Sequence, residues 1–379
     1  MKNIIPFYRH NINEKHKQYI NDVLSLSKES KVEQLENDFK DFIGAKYALC
    51  VNSSTSALHL AMCALDLKRG DKVVCSVNSF PDLPEVVRHF DAEPIFVDCV
   101  DKQYTIDLEK LDKTLTKNRS KKLRAIIVNH IAGNICDLDR LYEIAERHNV
   151  KVIEDASDAM GSQYKGKKIG STGADITTYS FSPHLNSQII QGGIFITDNE
   201  ELYKRAKLFR SHGIRAEEDG LSFDSVEYLY NVIEIGWQYN MSEINAATCL
   251  AEFENLSDAM RRRDEIADIY LKELKGIKHI TIPTKQDDNS FGHFIIEIDT
   301  NRDAFARELK KMGVMVGLHY IPLHFMDYYK GKYSIKVFDF PRALGIYQRV
   351  MSLPLYHNLT NQEVKQVCDA IKVVAKEHI

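Results

Sequence analysis

A chain of 379 residues, 44% hydrophobic and 27% charged, has the composition of an ordinary globular enzyme, and its length suits two or three domains. Its net charge of -4 and pI near 6.4 argue against nucleic acid or a membrane surface as a partner. The seven cysteines are scattered, odd in number and without a CxxC pair, which fits reduced thiols better than a disulfide framework or zinc site, so no metal is expected. The start lacks the apolar run of a signal peptide, no window approaches the roughly 20 apolar residues of a spanning helix, and a cytoplasmic protein is expected.

Residues 13–42 alternate charged and apolar positions at helical spacing with a break near SLSKESKVEQLE, predicting two helices joined by a short turn. ALCVNSSTSALHLAMCAL then reads as a strand, a Ser/Thr cluster and an amphipathic helix. Small hydroxyl residues at a helix N-terminus can cap it, or can offer backbone N–H groups and hydroxyls to an anion that the helix dipole also attracts. GDKVVCSV, NSFPDLPEVVRHF and AEPIFVD form a strand–helix–strand unit of the kind that builds a doubly wound sheet, and residues 123–155 repeat it.

That second unit ends in VIED, a β-branched run closed by two carboxylates. The pattern predicts a buried parallel strand delivering acidic side chains to the C-terminal edge of a sheet, where α/β proteins bind ligands. A buried carboxylate at Asp155 calls for a cationic partner. The following YSFSPHLNSQIIQGG combines a strand end, a polar turn and a Gly pair that lets backbone approach a ligand. Beyond it, GWQYNMSEINAATCLAEFENLSDAMRRRDEIADIYLKELKGI opens a long helix leading into a second domain, and the last hundred residues alternate strands and helices without a repeat. The division expected is a large domain with an N-terminal helical arm over 1–235, then an interdomain helix and small C-terminal α/β domain over 236–379.

These motifs together resemble the DegT/StrS family of sugar aminotransferases, fold-type I pyridoxal-phosphate (PLP) enzymes that act on keto sugars attached to nucleotides. The resemblance implies an α/β fold with a mostly parallel seven-stranded sheet, a nucleotide-sugar substrate, and a homodimer with composite active sites. It places Asp155 at the PLP ring nitrogen, Ser53, Ser54 and Thr55 at the phosphate (family SGTAALHLAL), Phe80 against the ring in register with Pro94 and Asp98, and Ser180 in the SF segment. His130 matches a His-x-x-Gly turn near the site. GWQYNMSEI resembles GYNYRMSEI, a loop whose Asn reaches the phosphate in the neighbouring subunit; here that residue is Gln238, and the Arg two places on is Asn240. The HYIPLH and SLPLYHNLT blocks, similar to HYPPLH and SLPMYPHLT, make His319, Tyr320 and His324 substrate-binding candidates.

One departure dominates. Aligned without a gap on Ser180, Phe181 and Gly192–Gly193, the lysine that the family bonds to its cofactor falls on Leu185. Leucine can be neither covalent catalyst nor base. A second departure is Asp158, where most aminotransferases of the family carry Gln or His. EDASDAMG instead resembles the EDCCDALG of the sugar 3-dehydratase branch, which has histidine for lysine, within SFYPAHH, and holds pyridoxamine phosphate (PMP) without a covalent bond. The corresponding histidine here is His184, one position early on a turn, and His184 and Asp158 become the catalytic candidates. An unpaired Asp158 carboxylate about 4 Å from a phenolate would cost about 4 kcal/mol at an effective dielectric of 20, so one of the two is expected to be protonated. Non-covalent PLP or PMP and a dehydratase-like reaction are therefore expected ahead of transamination with glutamate, and ahead of a non-catalytic sugar-nucleotide-binding role.

Overall fold

The runs YALCV, KVVCS, LRAIIVN, KVIED and GIFIT are too apolar to leave either face in water, and they meet in one sheet with helices on both sides. The computed structural model describes residues 4–26, 29–182, 190–216, 230–285 and 288–377. In chain order, α1 (Glu14–Leu24) and α2 (Lys31–Ile43) precede β1 (Tyr47–Val51) and α3 (Ser54–Ala64). Alternating units follow: β2 (Lys72–Ser76), α4 (Asp82–Arg88), β3 (Glu93–Val97), α5 (Leu108–Lys117), β4 (Leu123–Asn129), α6 (Leu138–His148) and β5 (Lys151–Asp155). A small hairpin, β6 (Gln163–Tyr164) with β7 (Lys167–Lys168), leads to β8 (Ile176–Ser180), β9 (Gly193–Thr197), α7 (Glu200–Arg210) and the ribbon of β10 (Ile214–Ala216) and β11 (Tyr230–Val232). The rest comprises α8 (Glu243–Glu254), α9 (Leu256–Glu273), β12 (Ile280–Thr281), β13 (Phe294–Ile298), α10 (Arg302–Lys311), α11 (Asp327–Tyr333), α12 (Pro341–Arg349), β14 (Val350–Leu353) and α13 (Asn361–Glu377).

The seven-stranded sheet has the order β1-β9-β8-β5-β4-β2-β3, and only β9 runs against the others, so the mostly parallel α/β sheet expected from the sequence is the one found. Leu35, Phe39, Leu111, Leu141 and Leu250 cover one face, and Leu58, Met62, Leu83, Val86 and Phe209 the other. Each such side chain, fully buried, contributes about 1.5–3 kcal/mol. Side-chain caps start the helices where the sequence changes character: Asn13, Ser30, Ser53, Asp107, Asp137, Asn199, Ser242 and Asn301 each accept a backbone N–H of the first turn.

Two features differ from expectation. The single long helix expected after residue 242 is two, α8 and α9, parted at Asn255, whose Nδ2 donates to the Ala251 carbonyl at 2.7 Å. An Asx side chain that bonds local backbone competes with the helix ladder. The chain start carries no periodic signal, yet Ile5 is buried and pairs in parallel with Val314 beside the antiparallel sheet β12-β13-β14.

Candidate active site

The C-terminal ends of β1, β2, β4, β5 and β8 meet at one edge of the sheet, and β9 begins there. The strand registers set Asp155 between Asn129 of β4 and Thr178 of β8. Its Oδ1 accepts from the Ser157 N–H at 3.1 Å and from the Ser157 hydroxyl at 2.6 Å. Burial raises the Asp155 carboxyl above its ordinary range, the Ser157 donors pull it back, and the charge of Asp158 adds to the rise.

Asp158 lies one turn on, and the sequence-based picture of an unpaired carboxylate is corrected here. His293 Nε2 stands 3.2 Å from Oδ1, while the Tyr320 hydroxyl donates to Oδ2 at 3.2 Å and the Ala132 N–H at 3.4 Å. Burial alone would raise this carboxyl, but His293, His319 and the Ala132 donor bring it down to about 2, so Asp158 stays ionised without a proton from a neighbour. His293 precedes β13, and its Gly292 neighbour lies so close to the Asp158 carbonyl that a Cβ there would collide with it. The His293 and His319 rings stack at 3.8 Å, with Phe7 beside both, and Ser352 Oγ lies 2.7 Å from His319 Nδ1. Tyr320 faces Asp158, Asp155 and Asp82; burial first and then these carboxylates keep its phenol protonated.

Asp82, on the first turn of α4, joins the site without a motif of its own in the sequence. It is buried, accepts from Thr55 Oγ1 at 3.3 Å through Oδ2, and leaves its buried Oδ1 without a hydrogen bond. Burial and the neighbouring Asp155 push its carboxyl up. The acid at the start of a helix looks like an ordinary dipole partner, and its only distinguishing sign is that its helix follows the end of β2 at the ligand edge.

On the other side of Asp155, Ser53 caps α3 and accepts the Ser56 N–H at 3.1 Å, leaving the first-turn amides of Ser54 and Thr55 without a partner inside the helix. Gly193 packs against this turn; a Cβ would strike the Ser53 backbone. Ser180 pairs with Gly193 and takes the Ser182 N–H on its hydroxyl at 3.1 Å. Phe80 is half-buried, with its ring 6.1 Å from that of Tyr320. Thus Ser53, Ser54, Thr55, Phe80, Asp155, Asp158, Ser180, His319 and Tyr320 share one edge.

Three other candidates sit elsewhere. His130 is fully buried, with Nε2 3.6 Å from Glu154 Oε2, and Glu154 in turn accepts from the Tyr142 hydroxyl at 2.6 Å. Its N–H donates to the Asp155 carbonyl at 3.0 Å, so it touches the site through backbone while its ring sits among buried groups. His324 is buried against Phe325 and Phe340 and faces Asp98. Gln238 is exposed; its neighbours Trp237 and Tyr239 stack on each other at 5.7 Å, and the Tyr239 carbonyl accepts the Asn52 N–H at 2.9 Å. His184 and Leu185 lie outside the described residues. Among the described residues no cluster of His, Cys, Asp and Glu could hold a metal ion, and no helix is long and apolar enough to cross a membrane.

A buried acid at the sheet's ligand edge, a helix N-terminus opposite it and a glycine-tight approach between them define the cofactor edge of a fold-type I PLP transferase. The chain belongs to the DegT/DnrJ/EryC1/StrS aminotransferase family, whose profile matches residues 10–372. It is 32% identical over 359 residues to the spore coat polysaccharide biosynthesis protein SpsC of Bacillus subtilis, covering 93% of this chain and 91% of that protein. It is 30% identical over 375 residues to GDP-perosamine synthase of Escherichia coli O157:H7, covering 97% of each. Among solved structures, Spr1654 of Streptococcus pneumoniae, assigned as a sugar aminotransferase and in its PMP form, superposes with a TM-score of 0.91 at 25% identity, over 99% of this chain and all of that one.

Proposed function

We propose that the chain binds PLP or PMP at this edge without a covalent bond and acts on a nucleotide-linked 4-keto (deoxy)sugar in polysaccharide or deoxysugar biosynthesis, by a dehydratase-like step at C3/C4. What supports this reading is the gapless register on Ser180, Phe181 and Gly192–Gly193, which puts Leu185 where the family's motif has lysine, on a chain that otherwise carries residues fit for the cofactor. Asp155 would hold the proton on the ring nitrogen, Ser54 and Thr55 the phosphate, and Phe80 the ring face; the cofactor, when bound, supplies an electron sink. Asp158, kept ionised by its partners, orients Tyr320 as a hydrogen-bond donor, and His184 serves as base. The reading divides the chain into a cofactor-holding unit, 1–235, and a smaller one, 236–379, that brings His293, His319 and Tyr320 to the sugar.

A homodimer with composite sites belongs to the same proposal. Tyr230, Val232, Ile235 and Trp237 are 64%, 53%, 89% and 44% exposed, an apolar row beside Gln238 that a second copy would cover. A cytoplasmic location fits the seven buried free cysteines. Amination with glutamate as donor is the second reading, favoured by the similarity to GDP-perosamine synthase.

Absorbance of the protein mixed with PLP and with PMP, before and after borohydride and dialysis, tests the cofactor claim: reversible binding and no adduct are expected. A phosphopyridoxyl group fixed to any lysine overturns it. Conversion of GDP-, CDP-, UDP- and dTDP-4-keto-6-deoxy sugars then separates the reactions. Loss of the C3 hydroxyl supports dehydration, gain of an amine supports the second reading, and binding without turnover indicates a sugar-nucleotide-binding homologue. With dehydration established, His184→Asn should keep PMP affinity and lower turnover roughly 10²–10⁴-fold.

A further inference from the structure

Asp82 is buried at the cofactor edge, and the chemistry proposed above leaves it idle. The one side-chain donor that reaches it among the described residues is Thr55, whose Oγ1 donates to Oδ2 at 3.3 Å; Oδ1 is sealed from solvent without a partner. That contact ties the acid to the first turn of α3. There the Ser53 and Ser56 hydroxyls are spent on the cap: Ser56 Oγ donates to Asn52 Oδ1 at 2.6 Å and lies 2.9 Å from Ser53 Oγ, which accepts the Ser56 N–H. The Thr55 hydroxyl thus stands between the helix N-terminus and a buried carboxyl.

A hydroxyl has a single hydrogen to give. Donated to Asp82, it is withheld from a phosphate at the N-terminus of α3, and an ionised Asp82 beside that phosphate would add repulsion between like charges. Both obstacles vanish when the carboxyl carries a proton. The bond then reverses over the same 3.3 Å: Asp82 donates to Thr55 Oγ1, and Thr55 donates to the phosphate, each bond polarising the next. The surroundings favour this neutral form. Asp155 on β5, Glu85 one turn along α4 and the Tyr320 phenol are the titratable groups facing Asp82, and no lysine or arginine is bonded to it among the described residues. Burial, Asp155 and Glu85 push its carboxyl well above the ordinary range, against the pull of the Thr55 hydroxyl and the Leu83 N–H.

We propose that Asp82 is a positioning residue of the phosphate site: as a neutral acid it turns the Thr55 hydroxyl onto a phosphate held at the α3 N-terminus, and where it starts ionised it takes a proton from water as that phosphate binds. The inference rests on the reading that this edge holds a phosphorylated cofactor. The test is calorimetric titration of the purified protein with PMP and, separately, with inorganic phosphate, at pH 7 and pH 9 and in two buffers of different ionisation enthalpy. It is repeated on Asp82→Asn, Asp82→Ala, Thr55→Val and the Asp82→Ala/Thr55→Val pair.

The Asn amide donates to Thr55 at any pH, so Asp82→Asn should match the unmodified protein at pH 7. Between pH 7 and pH 9 the unmodified protein should lose roughly tenfold more PMP affinity than this variant, and at pH 9 it should take up about one more proton per PMP bound. Asp82→Ala should weaken PMP and phosphate roughly tenfold at pH 7, and should add nothing once Thr55→Val has removed the hydroxyl. Equal pH dependence and equal proton uptake in the unmodified and Asn proteins overturn the assignment, as does a full effect of Asp82→Ala in the Thr55→Val background. If the Ala variant fails to fold, the Asn comparison decides. PMP binding indifferent to Asp82 removes the relay alone; phosphate binding that depends on Asp82 without PMP binding removes the functional reading and leaves the relay standing; binding of neither removes both.

Discussion

At the edge where the parallel strands begin, Arg124 bonds Asp71 at 3.1 Å, Arg147 bonds Asp112 at 3.0 Å and Lys151 bonds Asp175 at 2.8 Å, around a cleft of about 920 Å³. At the edge where the strands end, the open space is smaller, yet Asp82, Asp155 and Asp158 crowd together with no lysine or arginine bonded to any of them among the described residues. The first edge gives these three cations carboxylate partners. The second gathers acid that no lysine or arginine offsets, a setting suited to the proposed cofactor ring. The larger cavity thus lies at the edge opposite the acids.

The comparison breaks most easily at Asp155. If its charge answers a protonated ring nitrogen, Asp155→Asn should lower turnover about 10³-fold, at the upper end of what one preorganised electrostatic partner contributes, and should weaken PMP in an absorbance titration. An Asn variant with near-normal turnover would reduce Asp155 to a structural acid held by Ser157.

Asp158 sharpens it through pH. Its carboxyl is depressed to about 2 in the fold, below the usual 3.9, so the stability it contributes is present above about pH 4 and is lost as pH falls toward 2. The loss amounts to about 2 kcal/mol, and acid unfolding should be shallower over that window in Asp158→Asn than in the unmodified protein. Equal acid slopes would mean that His293, His319 and the Ala132 N–H do not hold the anion.

Asp82 has the opposite sign. Its carboxyl is raised by burial and by Asp155, so its favourable contribution is complete below the usual carboxylate range and declines as pH rises through the raised value. The cofactor-free protein should therefore gain about 1 kcal/mol at pH 8 on Asp82→Asn, a stability gain of the kind that functional sites forgo. Denaturant midpoints at pH 5 and pH 8 check it: the variant should gain only at the higher pH.

What the sequence displays depends on how local the cause is. The strands themselves and the helix starts follow from apolar runs and capping residues a few positions apart, and VIED announces the acidic edge because strand and acid are contiguous. Tyr320 and His319 entered only through the HYIPLH block, since nothing in their local pattern points at Asp158. His293 had no local sign and Asp82 only its place after β2: one is a lone histidine before a strand and the other a helix-start acid, and each gains meaning from a carboxylate more than seventy residues away.

The smallest effect belongs to the paired edge. The Lys151 and Arg147 side chains are 53% and 51% exposed, and exposed pairs contribute about 0–1 kcal/mol because water screens the attraction and ordering two long side chains opposes it. Lys151→Ala and Arg147→Ala should each shift the denaturation free energy by less than about 0.5 kcal/mol and leave turnover unchanged, and 0.5 M salt should erase the shift. The Asp155 effect should persist at the same salt, since screening reaches a buried acid poorly. If Lys151→Ala lowered turnover while Asp155→Asn did not, the assignment of the chemistry to the C-terminal edge would be reversed, and the wide basic cleft would become the place to look for substrate.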